Sequence, residues 1–228
     1  MSSHPFKAEF SVISEHYSQL LQNHGNTARG VQWTDRETQE CRLAILTEVG
    51  DLRSAKVLDF GCGLGHLLMF MRRDLAFTGE YVGYDLSEKM VATARETFPE
   101  SRFERRDILE EGVPEDFDYI LISGVFNNYV AGGWDLMTAV LSSLFQHVRK
   151  AIAFNALSTY VDFFDPGLFY VNPERVFRFC KEQLSPRVCL RHDYLIKPGV
   201  VPFEFSMYVY KTDLEPRKNV SVRVAVGS

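Results

Sequence analysis

Apolar residues recur along the chain with two alternating periods. Val57 to Phe60, Tyr81 to Tyr84 and Tyr119 to Ser123 read as short strands. Each is followed by a stretch with helical spacing: Leu67, Leu68, Phe70, Met71 and Leu75 after the first, Met90, Val91 and Ala94 after the second, and Leu136 through Val148 after the third. Strand-then-helix repetition predicts a mostly parallel sheet with helices on both faces. A fifth strand is expected near Ala151 to Leu157. Ser87 and Asn172-Pro173 carry helix-start signals, and Pro99 ends the helix before it.

The two ends of the chain differ from this middle. Upstream, Ile13, Tyr17, Leu20 and Leu21 form one stripe of a helix over about Ser11 to Leu21, and Gly25 and Gly30 bracket a loop. A second helix opens at a capping box, Thr34-Asp35-Arg36-Glu37, carries Ile45, Leu46 and Val49, and stops at Gly50. Downstream, Val188 to Ile196 and Phe203 to Lys211 flank a turn containing Lys197-Pro198-Gly199 and predict a terminal antiparallel hairpin. Its second strand alternates Phe203, Phe205, Met207 and Val209 with Glu204, Ser206, Tyr208 and Tyr210, the pattern of a half-buried strand. The expected organisation is a helical cap over 1–50, an α/β domain over 51–212, and a tail over 213–228. The valines at 220, 222, 224 and 226 of that tail suit an edge strand, a contact with a second subunit, or a mobile end.

The candidate chemistry lies at Val57 to His66, which reads Val-Leu-Asp-Phe-Gly-Cys-Gly-Leu-Gly-His. Glycines at 61, 63 and 65 between a strand and a helix let a ligand lie on bare backbone, and the helix N-terminus attracts a negative group. The dinucleotide fingerprint needs its third glycine one place later, where His66 stands.

Val57 to Gly65 resembles the first motif of the class I S-adenosylmethionine-dependent methyltransferases, and the resemblance extends over about Tyr17 to Lys211. It implies a Rossmann-like seven-stranded sheet, mostly parallel with a terminal antiparallel hairpin, preceded by an N-terminal helical extension. It also implies S-adenosylmethionine as cofactor, held at Asp59, Gly61, Cys62, Gly63, Leu64 and Gly65. Asp85, ending the strand-like run Tyr81 to Asp85, would take the ribose diol, and Asp107 the adenine amino group. Leu86 and Ile108 would flank the adenine, and Ser123 would border the site. Trp33 and Arg42 are candidates for the methionine end, Arg42 pairing with its carboxylate; equally, Trp33 could be a packing staple and Arg42 a surface charge.

The loop after the fourth strand, Gly124 to Tyr129, should face the transferable methyl, which makes Asn127 and Tyr129 candidates for holding the acceptor. It lacks the Asn/Asp-Pro-Pro-aromatic sequence expected of amino-methylating nucleic-acid enzymes of the same fold. Phe163 and Phe164 sit in the aromatic stretch Ser158 to Val171, which is either a substrate cover or a satellite cluster under a loop. In-line attack on the methyl needs mainly orientation and exclusion of water. If a base takes part, His16, Tyr17, Tyr160 or His192 could serve, although His192 between Arg191 and Asp193 also fits a paired sheet residue.

Charge narrows the acceptor. A formal net charge of −5 and a pI near 5.7 argue against a broad nucleic-acid surface, so the expected partner is a small molecule, and the aromatic stretches around Tyr129 and Ser158 to Tyr170 suggest an apolar or ring-containing one. A tRNA or protein methyltransferase and a catalytically silent cofactor-binding regulator are the alternatives; a nicotinamide oxidoreductase is opposed by His66 and the hairpin. Cys41, Cys62, Cys180 and Cys189 show no Cys-x-x-Cys spacing and read as buried free thiols, with no metal site implied. The N-terminus has no basic-then-apolar leader and the chain no 18-residue apolar run, so a cytoplasmic location is expected.

Overall fold

Strand β1 (Lys56–Phe60) is buried along nearly all its length because it pairs in parallel on both sides, with β2 (Glu80–Asp85) and with β4 (Phe117–Ile122). Beyond β2 lies β3 (Arg102–Arg105), and beyond β4 lies β5 (Val148–Ser158). The computed structural model describes residues 4–197 and 199–214. In it a two-residue β6 (Tyr170–Val171) pairs with β5, and β7 (Val188–Arg191) and β8 (Glu204–Tyr210) complete the sheet in the order β3-β2-β1-β4-β5-β8-β7. β8 runs antiparallel to both β5 and β7. The sheet therefore has eight strands where the resemblance implies seven, the extra one being β6.

Helices cover both faces, and alternate residues of each strand show which. Leu58, Ile120 and Phe154 join α5 (Ile108–Glu111), α6 (Gly133–Gln146) and α7 (Pro173–Phe179) in one core. Val57, Leu121 and Ala153 join α2 (Arg36–Thr47), α3 (His66–Asp74) and α4 (Glu88–Thr97) in the other. The N-terminal α1 (Lys7–His24) leans on the start of α4, where Ser18 and Ser87 share a 3.1 Å hydrogen bond.

Several boundaries differ from the sequence reading. The N-cap of α2 is Asp35, not Thr34; its carboxylate accepts from the Thr38 amide at 2.8 Å. Val148 starts β5 rather than ending the preceding helix. The β7–β8 connection is long, since Ile196 and Phe203 lie outside both strands. β8 is buried on both faces from Glu204 to Val209 because it is an interior strand; α2 covers the second face, where Tyr208 Oη donates to the Ile45 carbonyl. Cys62 and Cys180 are buried free thiols, while Cys41 and Cys189 are only half-buried. Among the described residues no helix is long and apolar enough to cross a membrane. The predicted tail strand, and Pro198 of the predicted turn, lie outside the described residues.

Phe154 ties the core to the functional edge, packing edge-on to Phe126 of the loop after β4 with ring centroids 6.1 Å apart. It is fully buried. Phe154→Ala should lower unfolding free energy by about 3–5 kcal/mol, read as a reduced midpoint in urea with an unchanged slope.

Candidate active site

The chain leaves β1 in a turn that only glycine accommodates easily. Gly61, Gly63 and Gly65 have φ of +78°, +50° and +78°, a region costly for residues with a Cβ. Space excludes side chains as well: a Cβ on Gly61 would fall 2.2 Å from Val125 Cγ2, and one on Gly63 3.0 Å from Val31 Cγ1. The turn is pinned to β2, because the amides of Gly61 and Cys62 both donate to the Tyr84 carbonyl at 2.8 and 3.0 Å.

Asp85, at the end of β2, holds the turn together. Its carboxylate accepts from the Gly63 amide at 2.9 Å and the Ser87 amide at 2.8 Å, joining the glycine turn to the start of α4. Burial pushes its pKa up against the opposing pull of these amides. Asp59 lies beneath, 2% exposed, and accepts from Tyr81 Oη at 2.7 Å. Desolvation pushes Asp59 up to about 7, opposed by the Tyr81 hydrogen bond and reinforced by Asp85. Burial also raises the Cys62 thiol well above its ordinary value, so it is no nucleophile.

A cavity of about 320 Å³ opens over the C-terminal ends of the strands. Its floor is Gly61 to Leu64 with Tyr84, Asp85, Leu86 and Ser123. Its roof is the N-terminal extension, through Ile13, Tyr17, Val31, Trp33, Gln39 and Arg42, and its far wall is Leu157, Leu168 and Phe203. His66 pins roof to floor: Gln39 Nε2 donates to its Nδ1 at 3.0 Å, and its Nε2 meets Asn26 Oδ1 at 3.0 Å. With Asn26 offering only an acceptor, the proton is assigned to Nε2. Burial lowers the pKa of His66, which keeps the imidazole neutral.

Two buried polar atoms in residues lining this cavity, Ser123 Oγ and Asn127 Oδ1, have no partner among the described residues. Buried polar atoms are normally satisfied, so two orphans at one cavity mark a place where a ligand completes the bonding.

The structure brings Trp33, Arg42, Gly61, Cys62, Gly63, Leu64, Asp85, Leu86, Ser123, Asn127 and Tyr17 to this cavity. Other expected residues lie elsewhere. Gly65 packs toward Phe98 and Phe103, Asp59 is under the turn, and Ile108 is in the core. The Asp107 carboxylate caps α5 and meets His4 Nε2 at 2.7 Å. Arg42 is not a surface charge: it is 6% exposed and bonded to Glu204 at 2.7 Å.

The proposed bases fare differently. Tyr17 accepts from Asn128 Nδ2 at 3.1 Å, and burial pushes its phenol up to about 12, so it stays protonated near neutrality. His16 faces Gln32 at 3.1 Å and borders a separate, shallower depression with Tyr129. Tyr160 donates to Glu174, and His192 Nε2 meets the Pro202 carbonyl at 2.9 Å, both outside the cavity. Phe163 and Phe164 are 73% and 53% exposed and also outside it, although Leu168 of the same loop lines it; β6 pairs with the last two residues of β5. Absent from the sequence reading as site residues are Tyr84, Leu157, Lys197 and Phe203. The first two stand at the C-terminal ends of strands, which is the positional signal that could have found them.

Asp59 gives a pH prediction. Its folded pKa exceeds the unfolded value, so the folded state binds more protons than the unfolded one between about pH 4 and 7. Its contribution to stability is present at the acidic end of that window and lost as pH rises through about 7. Asp59→Asn should therefore stabilise the protein by a margin that grows from pH 5 to pH 8, measured by urea denaturation at several pH values.

Comparison with known proteins agrees with this geometry. Residues 58–155 match the methyltransferase domain family. A Mycobacterium tuberculosis protein bearing a methyltransferase name is 32% identical over 159 residues, 67% of this chain and 91% of its own length. A trans-aconitate 2-methyltransferase of Variovorax paradoxus is 36% identical over 83 residues, but these span only 36% of this chain and 31% of that enzyme. Among solved structures, the magnesium protoporphyrin IX methyltransferase of Synechocystis PCC 6803 superposes with a TM-score of 0.62 over 92% of this chain and 100% of its own, at 14% identity, which speaks to fold alone. With the strand order, the glycine turn and the cavity described above, the chain belongs to the class I S-adenosylmethionine-dependent methyltransferases.

Proposed function

We propose that the acceptor methylated in this cavity is a small, largely apolar molecule. The observation that carries this reading is the roof: α1, the Arg29–Val31 turn and the start of α2 cover part of a space of small-ligand size at the strand ends. Part of the wall offered to an acceptor, Trp33, Leu157, Leu168 and Phe203, is apolar, and the buried Arg42 is neutralised by Glu204, while Lys197 and Gln32 also line the cavity. Relatives named for trans-aconitate act on a small molecule, which supports the acceptor's size and not its polarity, trans-aconitate being a tricarboxylate.

The residues present fit the cofactor. Bare backbone at Gly61 to Leu64, the Asp85 carboxylate, the apolar side of Leu86 and the unpartnered Ser123 hydroxyl would hold it, and a Cβ at Gly61 or Gly63 would intrude on neighbouring side chains. S-adenosylmethionine supplies an electrophilic methyl group on a sulfonium. The protein's part is to orient the acceptor and exclude water. Tyr17 is held protonated, and both ring nitrogens of His66 are engaged by Gln39 and Asn26. Asn127 Oδ1, unpartnered beside the cavity, is the acceptor-facing hydrogen-bonding group.

The test is transfer of label from tritiated S-adenosylmethionine to separate pools of phenols, amines and carboxylic acids including trans-aconitate, and to tRNA and bulk protein. Counts in a small-molecule pool are expected; counts only in tRNA or protein would overturn the reading. Independently, Asp85→Asn should weaken S-adenosylhomocysteine binding about tenfold or more, the scale of one charged hydrogen bond, in calorimetry on a variant shown to be folded by its melting curve.

A further inference from the structure

Five residues from distant parts of the chain form a closed circuit behind the cavity. The Gly124 amide donates to Asn155 Oδ1 at 2.7 Å. Asn155 Nδ2 donates to Glu204 Oε1 at 3.0 Å, and Arg42 Nε donates to Glu204 Oε2 at 2.7 Å. The Arg42 guanidinium lies 4.2 Å above the Trp33 ring. Trp33 closes the circuit on Gly124, where a Cβ would fall 2.7 Å from its Cζ2. The members belong to the roof (Trp33, Arg42), the loop after β4 (Gly124), β5 (Asn155) and β8 (Glu204).

Each link constrains the next. A backbone N–H on one side and an acceptor-only carboxylate on the other leave Asn155 a single amide orientation. Glu204 and Arg42, 1% and 6% exposed, are a buried pair in which each compensates the other's charge, so neither can leave alone without stranding a buried ion. Asn155 is fully buried. Gly124 has φ of +74° and no room for a side chain, so its position depends on its amide bond and on the ring lying over it.

We propose that Asn155 and Glu204 are positioning residues for methyl transfer: through Gly124 they set the loop that carries Asn127, and through Arg42 and Trp33 they hold the roof to that same loop. Roof and loop then move as one unit, and the distance between cofactor floor and acceptor-facing Asn127 is fixed by β5 and β8 rather than by the exposed loops. The proposal deepens the reading of the cavity given above and rests on it for what the loop faces.

The experiment measures amide exchange and tryptophan emission without any acceptor, so its outcome is independent of what the acceptor proves to be. A Trp134→Phe background leaves Trp33 as the only tryptophan. In it, Asn155→Leu should speed exchange at Gly124 at least tenfold, shift Trp33 emission to the red, and weaken S-adenosylhomocysteine binding at least fivefold, with amides of Val57 to Asp59 exchanging as in the parent. Arg42→Met with Glu204→Gln removes both charges together and keeps an acceptor for Asn155. It should shift Trp33 emission while leaving Gly124 protection within threefold of the parent. The double variant also supplies the test if Asn155→Leu does not fold. Parent-like exchange at Gly124 in Asn155→Leu, unmoved Trp33 emission in either variant, or equal acceleration at Gly124 and in β1 would overturn the proposal.

Discussion

The whole site depends on parallel pairing on both sides of β1. With β2 on one flank and β4 on the other, the chain leaves neighbouring strands toward opposite faces: α3 after β1 packs on one side of the sheet and α6 after β4 on the other. Between those departures a crevice opens at the strand ends, the expected place for a ligand in an open α/β sheet. The glycine turn, Asp85 and the Gly124 loop face each other because each leaves a strand at this one edge.

Around that crevice the molecule accepts several costly arrangements. The carboxylate of Asp59 is buried and that of Asp85 half-buried above it, and each has its pKa raised by desolvation. Ser123 and Asn127 keep polar atoms without partners among the described residues. Such departures from ordinary burial rules concentrate at functional sites. Here they lie under and around one cavity, while a hydrophobic core including Leu58, Val82, Ile120 and Phe154 packs beneath the sheet.

Legibility in the sequence followed range. Val57 to His66 encodes its turn locally, through glycines whose positive φ the structure bears out, and Asp85 lies at the end of an unmistakable strand. The helix caps at Ser87 and Asn172 were equally local. What lay beyond reach was pairing between distant segments. Nothing near Arg42 announces Glu204, 162 residues away, and nothing near Asp107 announces His4, 103 residues upstream. The exposed phenylalanines at 163 and 164 illustrate the converse: aromatic density fits a cover or a satellite cluster, and it does not reveal that Leu168 of the same loop, rather than either phenylalanine, lines the cavity. The even alternation of β8 misled because strand periodicity reports two faces without saying whether both are covered.

An open sheet ends somewhere, and the manner of its ending has consequences beyond catalysis. β3, outermost on its side among the described residues, is only four residues long and reads Arg-Phe-Glu-Arg. Arg102 pairs with Glu104 and Glu115, Arg105 with Glu111, and Arg106 just beyond with Glu104. A foreign strand adding to this edge would have to displace or bury that lattice of ions, which makes it a poor template for edge-to-edge association. The same short strand that leads into the Asp107 cap of α5 thus closes this border of the sheet with paired charges rather than with an open row of apolar residues.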